Sequence, residues 1–381
     1  MNNSINKKIS LMDALLIYIN AVFIPSIRYI FKSVQIAGTA AWLSPFASLI
    51  VYIPLMYLLY RVMKAFEGYS LYQVMRQVFG SFIGKTIAVI LVVWLFILMS
   101  LLLRYAGGTL VATTYTGVDV QFFAIIAVTV TAVMLRSGLA SFSRMNIFIG
   151  GIGLLQFILI IVLLLFGFEL SNITPISFQD IPKVFASIIS PLTITVTVTF
   201  IFIWNDQIRF DKKPAGKFAL TAAFITAAST LILLSTIGIF GADLVNKLAI
   251  PFYSAVENLT MAASNTVIVS LFILLWTSFE FVLGTALAYM VVRLLREIFN
   301  LKRQVPLLTA VMGLTYVFST YFSNDIFELN TFMQYIEPWF TLTLGVGLPL
   351  ALFIVAKARK MLPPPPKRIP SRDRRHQQSQ A

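Results

Sequence analysis

The 381-residue chain is 59% hydrophobic and only 12% charged, with a mean hydropathy of +0.87. A soluble protein of this size has too little polar surface to cover such a composition, so the lipid bilayer is the solvent that fits it. The chain has no cysteine, and its single histidine, His376, lies in a polar tail. These counts exclude disulfides, thiol nucleophiles and histidine-based catalytic or metal sites inside the membrane.

Ten apolar runs follow one another along the chain, most of them near the length of about 20 residues that a helix needs to cross a bilayer. They predict spans 1 to 10 at Leu11–Phe31, Thr39–Tyr60, Thr86–Val111, Phe122–Leu135, Asn146–Phe168, Val184–Trp204, Phe218–Phe240, Thr266–Val292, Leu307–Phe322 and Tyr335–Ala356. The first run has no clear small-residue cleavage site, so we interpret it as a retained span and not as a signal peptide. The sequence therefore predicts an all-α integral membrane protein whose ten-helix domain occupies residues 1–360.

The net charge of +14 follows from the topology of these spans. With both termini inside, 24 of the 29 Lys and Arg residues fall in inner segments, and only Arg28, Lys32, Lys183 and Lys247 fall in outer ones. This asymmetry predicts cytoplasmic N- and C-termini, and anionic lipid headgroups explain the basic excess better than nucleic acid does. Residues 361–381 are basic and proline-rich, which predicts a disordered cytoplasmic tail.

Spans 1 and 6 each carry a proline beside polar residues. Ten spans divide into five plus five, and many transporters consist of two inverted repeats whose first helices are interrupted near the membrane midplane. Proline frees backbone groups that can bind a ligand, although a simple packing kink is the alternative. We predict a small zwitterion bound between spans 1, 3, 6 and 8, with its carboxylate at amides freed near Asn20–Ser26 and its side chain at Ser190–Thr195. The candidate ligand-binding residues on these two spans are Asn20, Phe23, Ile24, Pro25, Ser26, Ser190, Pro191, Thr193 and Thr195.

Two ionisable residues lie deep in apolar runs, Arg104 in span 3 and Glu280 in span 8. A charge at the centre of a membrane helix costs at least about 2.5–3.5 kcal/mol, so each should face a cavity or a partner. Arg104 is predicted to hold a carboxylate, and Glu280 an ammonium group or a proton. Alternatively, the two pair with each other, or Arg104 extends towards the external face. Ser100, Thr277 and Ser278 complete the candidate set, although such hydroxyls also bond to their own helix.

No enzyme signature is present in the sequence. The patterns GxxxxGK[ST], HExxH and GxSxG do not occur, and the spans carry only scattered single charges. Asp13 and Glu337 lie near span ends, and we interpret both as interfacial. We therefore predict no enzymatic activity, no cofactor and no metal site.

Six short segments follow one another in a characteristic order across most of residues 9–360. They read AGTAAWLSPFASLI, SLYQVMRQVFGSFIGKTIAV, LLLRYAG, RSGLASFSRMNIFIG, ITPISF and FGADLVNKLAIPFYSAVENL. In their order and spacing they resemble the spore germination permeases, the B subunits of nutrient germinant receptors. The chain departs from that pattern in span 1, where Asn20–Pro25 replaces a glycine-containing break.

The resemblance implies a member of the amino acid–polyamine–organocation superfamily with a five-plus-five inverted-repeat fold and interrupted helices 1 and 6. It implies a subunit of the spore inner membrane that binds a small nutrient, typically an amino acid. The implied partners are a receptor A subunit, a lipoprotein C subunit and membrane lipid. Two other functions remain open: an amino acid transporter driven by protons or sodium, and a scaffold that has lost its pocket.

Overall fold

The computed structural model describes residues 8–113, 115, 117–210, 214–263, 267–302, 304–322 and 326–362. From residue 363 onward, the predicted tail lies outside this part of the chain. Eight described helices are long and apolar enough to cross a membrane, and Val120–Arg136 and Gln304–Tyr321 bring the described spans to the predicted ten. Spans 1 to 10 are Leu11–Tyr29, Ser44–Ala65, Ser81–Thr113, Val120–Arg136, Leu139–Leu164, Ile189–Gln207, Pro214–Val245, Val267–Ile298, Gln304–Tyr321 and Glu337–Ala358.

Short elements connect the spans. The connecting α-helices are Lys32–Ala37, Leu71–Phe79, Ile181–Ala186, Pro251–Ala263 and Ile326–Tyr335. Short 3₁₀-helical turns lie at Gly38–Leu43, Leu165–Gly167, Leu170–Ile173 and Phe178–Asp180. The chain reverses between spans 1 and 2 at Gly38, whose φ of +56° is a conformation that side-chain-bearing residues rarely adopt.

Span 1 begins at a capping box. The Ser10 hydroxyl accepts a hydrogen bond from the Asp13 amide at 3.1 Å, and the Asp13 carboxylate accepts one from the Ser10 amide at 3.0 Å. Two orphan amides of the helix start are satisfied in this way, which explains an acidic residue at this position. The preceding strand, Ile9–Ser10, pairs in parallel with Ile208–Arg209, so the start of span 1 is fixed to the end of span 6.

Spans 1 and 6 both depart from a continuous α-helix, but not at the positions that the prolines predict. Span 1 is continuous through Pro25 and ends at Tyr29, and two turn residues separate it from the helix Lys32–Ala37. The prediction of freed amides at Asn20–Ser26 is therefore wrong, because a membrane helix accommodates one proline without unwinding. Span 6 changes at Val196 from an α-helix to a 3₁₀-helix of 12 residues. Stretches of 3₁₀-helix longer than 3–4 residues are uncommon and often mark a hinge or a strained sequence.

Span 5 packs closely against span 1 at Gly150. A Cβ atom there would lie 2.5 Å from Nδ2 of Asn20, which donates hydrogen bonds to Oδ1 (2.9 Å) and the carbonyl (3.1 Å) of Asn146. We expect Gly150→Ala to displace the Asn20 amide and destabilise the protein by about 1–3 kcal/mol. Gly151→Ala is the matched control, since its Cβ would meet nothing within 4 Å. Thermal unfolding of the detergent-solubilised variants tests this expectation, and equal midpoints would contradict it.

Candidate functional site

A buried cavity of about 100 Å³ lies where spans 1, 3, 6 and 8 meet, and the first residue of span 10 contributes to its wall. We call it the central cavity. Most of its wall is apolar, and its polar side chains include Tyr18, Arg28, Thr193, Thr197 and Glu337. A cavity of this volume has room for several waters or for one small solute.

Two hydrogen bonds join spans 1 and 6 at their helix ends. The Ser190 hydroxyl donates to the carbonyl of Tyr29, the last residue of the span 1 helix, at 2.5 Å. The Tyr18 hydroxyl donates to the carbonyl of Thr195, the last residue of the α-helical part of span 6, at 2.7 Å. The carbonyl of Tyr29 lies at a helix end, where backbone acceptors lack partners within their own helix and need one inside a membrane, and that of Thr195 lies where the α-helix changes to a 3₁₀-helix. Two side-chain hydrogen bonds to backbone carbonyls thus connect the two spans beside the central cavity.

A buried ion pair between Arg28 and Glu280 joins spans 1 and 8. The two side chains are 4% and 7% exposed. The guanidinium carbon lies 3.9 Å from the ring centre of Tyr105 and 4.9 Å from that of Trp276. The Trp276 indole N–H donates to Oε1 of Glu280 at 2.7 Å. Aromatic faces and a hydrogen-bonded carboxylate thus stabilise a cation inside the membrane.

This pair corrects two sequence-based interpretations. Arg28 is not in an outer connection but in the last turn of span 1, buried against spans 3 and 8. Its partner, Glu280, does not pair with Arg104, which lines neither this cavity nor the larger one described below.

Glu337 is the first residue of span 10 and is buried, not interfacial as its sequence position suggested. Its Oε1 accepts a hydrogen bond from the Thr341 hydroxyl at 2.8 Å. Its Oε2 is buried and has no hydrogen-bond partner in the described part of the chain. A buried carboxylate oxygen is costly to leave without a donor, and the side chain that carries this one lines the central cavity.

The predicted site residues are distributed over three cavities. Pro25 and Thr193 line the central cavity. Glu280 and Thr277 line a cavity of about 320 Å³ between spans 3, 4, 8 and 9, which we call the second cavity. Asn20 and Phe23 line a gap of about 30 Å³ beside span 5. The structure therefore brings only part of the predicted set together.

The remaining predicted residues lie against their own helices or in the packed core. Four hydroxyls donate to carbonyls three or four residues earlier, those of Ser26, Ser100, Thr195 and Ser278. Ile24 is fully buried, and Pro191 is buried within the α-helical part of span 6. This back-bonding is the behaviour that membrane helices favour for isolated hydroxyls.

The far end of span 6 is also fixed by polar contacts. The Asn205 amide donates to three carbonyls at and beyond the end of span 2, those of Met63, Phe66 and Tyr69, at 3.2, 2.7 and 3.2 Å. The neighbouring Asp206 accepts from Arg293 of span 8 at 2.5 Å. Span 6 is therefore held at both ends, and the contacts at the far end are made by residues of its 3₁₀-helical segment.

Sequence reasoning missed several residues of the central cavity, namely Tyr18, Arg28, Tyr29, Trp204 and Glu337. The two charged residues, Arg28 and Glu337, lie near the ends of apolar runs, and the length of a run alone would place such positions near the membrane surface. A carboxylate in the first turn of a helix is also a common helix-start signal, which says nothing about burial.

Two solved transporter structures are similar to this chain along nearly its whole length. MhsT in complex with L-phenylalanine matches with a TM-score of 0.62 at 12% identity, over 93% of this chain and 99% of that chain. Mhp1, a nucleobase-cation-symport-1 family transporter in a closed conformation with bromovinylhydantoin bound, matches with a TM-score of 0.52 at 15% identity, over 95% and 97%. The predicted fold class, ten helices in a five-plus-five inverted repeat, is confirmed by these neighbours.

The sequence itself is matched by a family model. Among curated proteins, no relative matches. The model described as "Spore germination protein" matches residues 8–327, which is most of the chain. The family and the structural neighbours are permeases and transporters, not enzymes. This membrane-spanning, permease-like chain belongs to the spore germination protein family.

Proposed function

We propose that this chain is the B subunit of a nutrient-germinant receptor and that it binds a small amino acid in the central cavity. One observation carries the proposal: the wall of a buried cavity of about 100 Å³ holds the Arg28 guanidinium, which is also paired with Glu280, and the Glu337 carboxylate, whose Oε2 has no donor in the described part of the chain. Charges of opposite sign in one small apolar cavity fit a zwitterion. The matching family model and the transporter fold support the same assignment.

In this proposal the ligand ammonium donates to Oε2 of Glu337 and the ligand carboxylate binds the Arg28 guanidinium. Charge-assisted hydrogen bonds of this kind are about twice as strong as neutral ones, and an interior with a low dielectric constant strengthens them. The small volume and the apolar remainder of the wall, which includes Ala21, Val22 and Ile194, select a short aliphatic side chain. The carboxylate partner is thus Arg28 instead of the span 1 amides predicted from the sequence.

Binding signals by shifting a two-state equilibrium that partner subunits detect. The proposed partners are the receptor A subunit and the lipoprotein C subunit, in the spore inner membrane with both termini of this chain in the cytoplasm. The distribution of 24 of 29 basic residues to one side supports that orientation. The 3₁₀-helical part of span 6, which lines the cavity, is the element whose conformation we expect to change with occupancy.

A proton- or sodium-coupled amino acid transporter is the second candidate. The fold likeness to MhsT and the open carboxylate oxygen of Glu337 favour it, since buried acids serve as coupling sites in transporters. Uptake of radiolabelled amino acids into proteoliposomes that contain this chain alone separates the two functions. Uptake above that of empty liposomes supports the transporter, and binding without uptake supports the receptor subunit.

Calorimetric titration of the purified full chain with a panel of amino acids tests the binding claim. We expect a small zwitterion such as glycine or alanine to bind, and the corresponding amine or carboxylate alone to bind at least about tenfold more weakly, because each lacks one charge-assisted hydrogen bond. Absence of binding by every small zwitterion in the panel would contradict the proposal.

A further inference from the structure

The second cavity has the volume of a small-molecule site, and the proposed amino acid site in the central cavity does not use it. Its volume of about 320 Å³ is within the range of ligand pockets, about 300–1,000 Å³. Most of its wall is apolar, and its polar side chains are Glu280, Thr131, Thr277 and Thr315, besides the phenol of Tyr115. It lies between spans 3, 4, 8 and 9 and does not depend on the proposed role of the central cavity.

Glu280 offers this cavity a carboxylate oxygen. Both hydrogen bonds that it accepts within the described part of the chain, from Arg28 and Trp276, end on Oε1. A carboxylate has about four acceptor positions on its two oxygens. Oε2 is thus open to a hydrogen bond from a molecule in the second cavity. Thr277 and Thr315, by contrast, donate to their own helices, at 2.6 and 2.8 Å.

The charge balance at Glu280 indicates that a ligand of the second cavity is electrically neutral. Arg28 neutralises the carboxylate from the side of the central cavity, and the described wall of the second cavity holds no other Asp, Glu, Lys or Arg side chain. A charged ligand would therefore add an uncompensated charge to an apolar space, which is costly. A neutral molecule that donates one hydrogen bond adds none.

The cavity reaches the surface that faces the lipid. Ile126 of span 4 lines it and is 41% exposed. A molecule dissolved in the bilayer has access along this side without passing through the central cavity. We infer that the second cavity binds a small neutral alcohol or phenol from the bilayer, with its apolar body against spans 3, 4, 8 and 9 and its O–H donating to Oε2 of Glu280.

Photolabelling tests this inference on the full chain in liposomes. The probe is a benzyl alcohol that carries a photoreactive diazirine, and mass spectrometry locates the labelled residues. We expect labels on the residues that line the second cavity. Hexan-1-ol should displace the probe at a concentration about tenfold or more below that of hexane or hexylammonium, because only the alcohol makes the hydrogen bond without adding charge.

Two variants on span 4 provide a matched pair. Ala127→Phe fills the cavity, whereas Val133→Phe places the same ring on an exposed position, 63% exposed, that does not line it. Loss of labelling in the first variant and retention in the second support the site. Labels spread over all lipid-facing helices, or labels that hexan-1-ol does not displace, as a resident lipid tail would give, overturn it. The competition series on the unmodified chain decides the question if Ala127→Phe does not fold.

Discussion

Replacing Glu337 with glutamine is expected to weaken amino acid binding about 10- to 150-fold and to leave the fold intact. A hydrogen bond to a charged group contributes about 1.5–3 kcal/mol, and glutamine keeps the size of the side chain but not its charge. Its carbonyl oxygen can still accept from Thr341, so the start of span 10 is preserved. Calorimetric titration of both proteins with the amino acid that binds best measures the effect.

A ligand without an ammonium group provides the control for Glu337. The corresponding short carboxylate should bind Glu337→Gln at least as tightly as the unmodified chain, because it has no group that donates to Oε2 and the substitution removes a like charge from the cavity. If the substitution weakened both ligands to the same extent, Glu337 would be a structural residue and not the partner of the ligand ammonium. Unchanged thermal unfolding midpoints exclude a general loss of fold.

The ten spans could be predicted from the sequence because the bilayer thickness sets the length of apolar run that a span needs, and such a run is visible in a short stretch of chain. The fold class could be predicted from the number of these spans and from the prolines that occupy matching positions in spans 1 and 6. The helix interruptions were harder to place, since proline marks a weak point but the surrounding helices decide where the chain unwinds. In span 1 the helix passes through Pro25 and ends after Tyr29.

The candidate site depends on contacts that no local pattern contains. The position of Glu280 deep in an apolar run indicated a buried charge with a partner. That partner is 252 residues away along the chain, at the end of another apolar run. Run length cannot distinguish an exposed position from a terminal turn that neighbouring helices cover, so the sequence places Arg28 in an outer connection and Glu337 at the interface, whereas both side chains are buried. The identity of the ligand-binding residues remains a prediction.

Removing one member of the Arg28–Glu280 pair should cost far more stability than removing both. We expect Arg28→Met or Glu280→Met alone to destabilise the protein by about 3–5 kcal/mol, because each leaves an unpaired buried charge. The double variant should recover most of that loss, since an apolar pair of similar volume often replaces a buried ion pair without penalty. Reversible unfolding of the solubilised variants in denaturant measures these differences.

The exposed pair Lys64–Glu67 is the matched control, with side chains 45% and 39% exposed. Lys64→Met should change the stability by about 1 kcal/mol or less, because water screens an exposed pair. Stability and binding then separate the two roles of Arg28: the double variant Arg28→Met/Glu280→Met should fold but bind no amino acid. A double variant as unstable as the single ones would mean that the cage of Tyr105 and Trp276 requires the guanidinium itself. A stable double variant that still bound the amino acid would show that the ligand carboxylate has another partner.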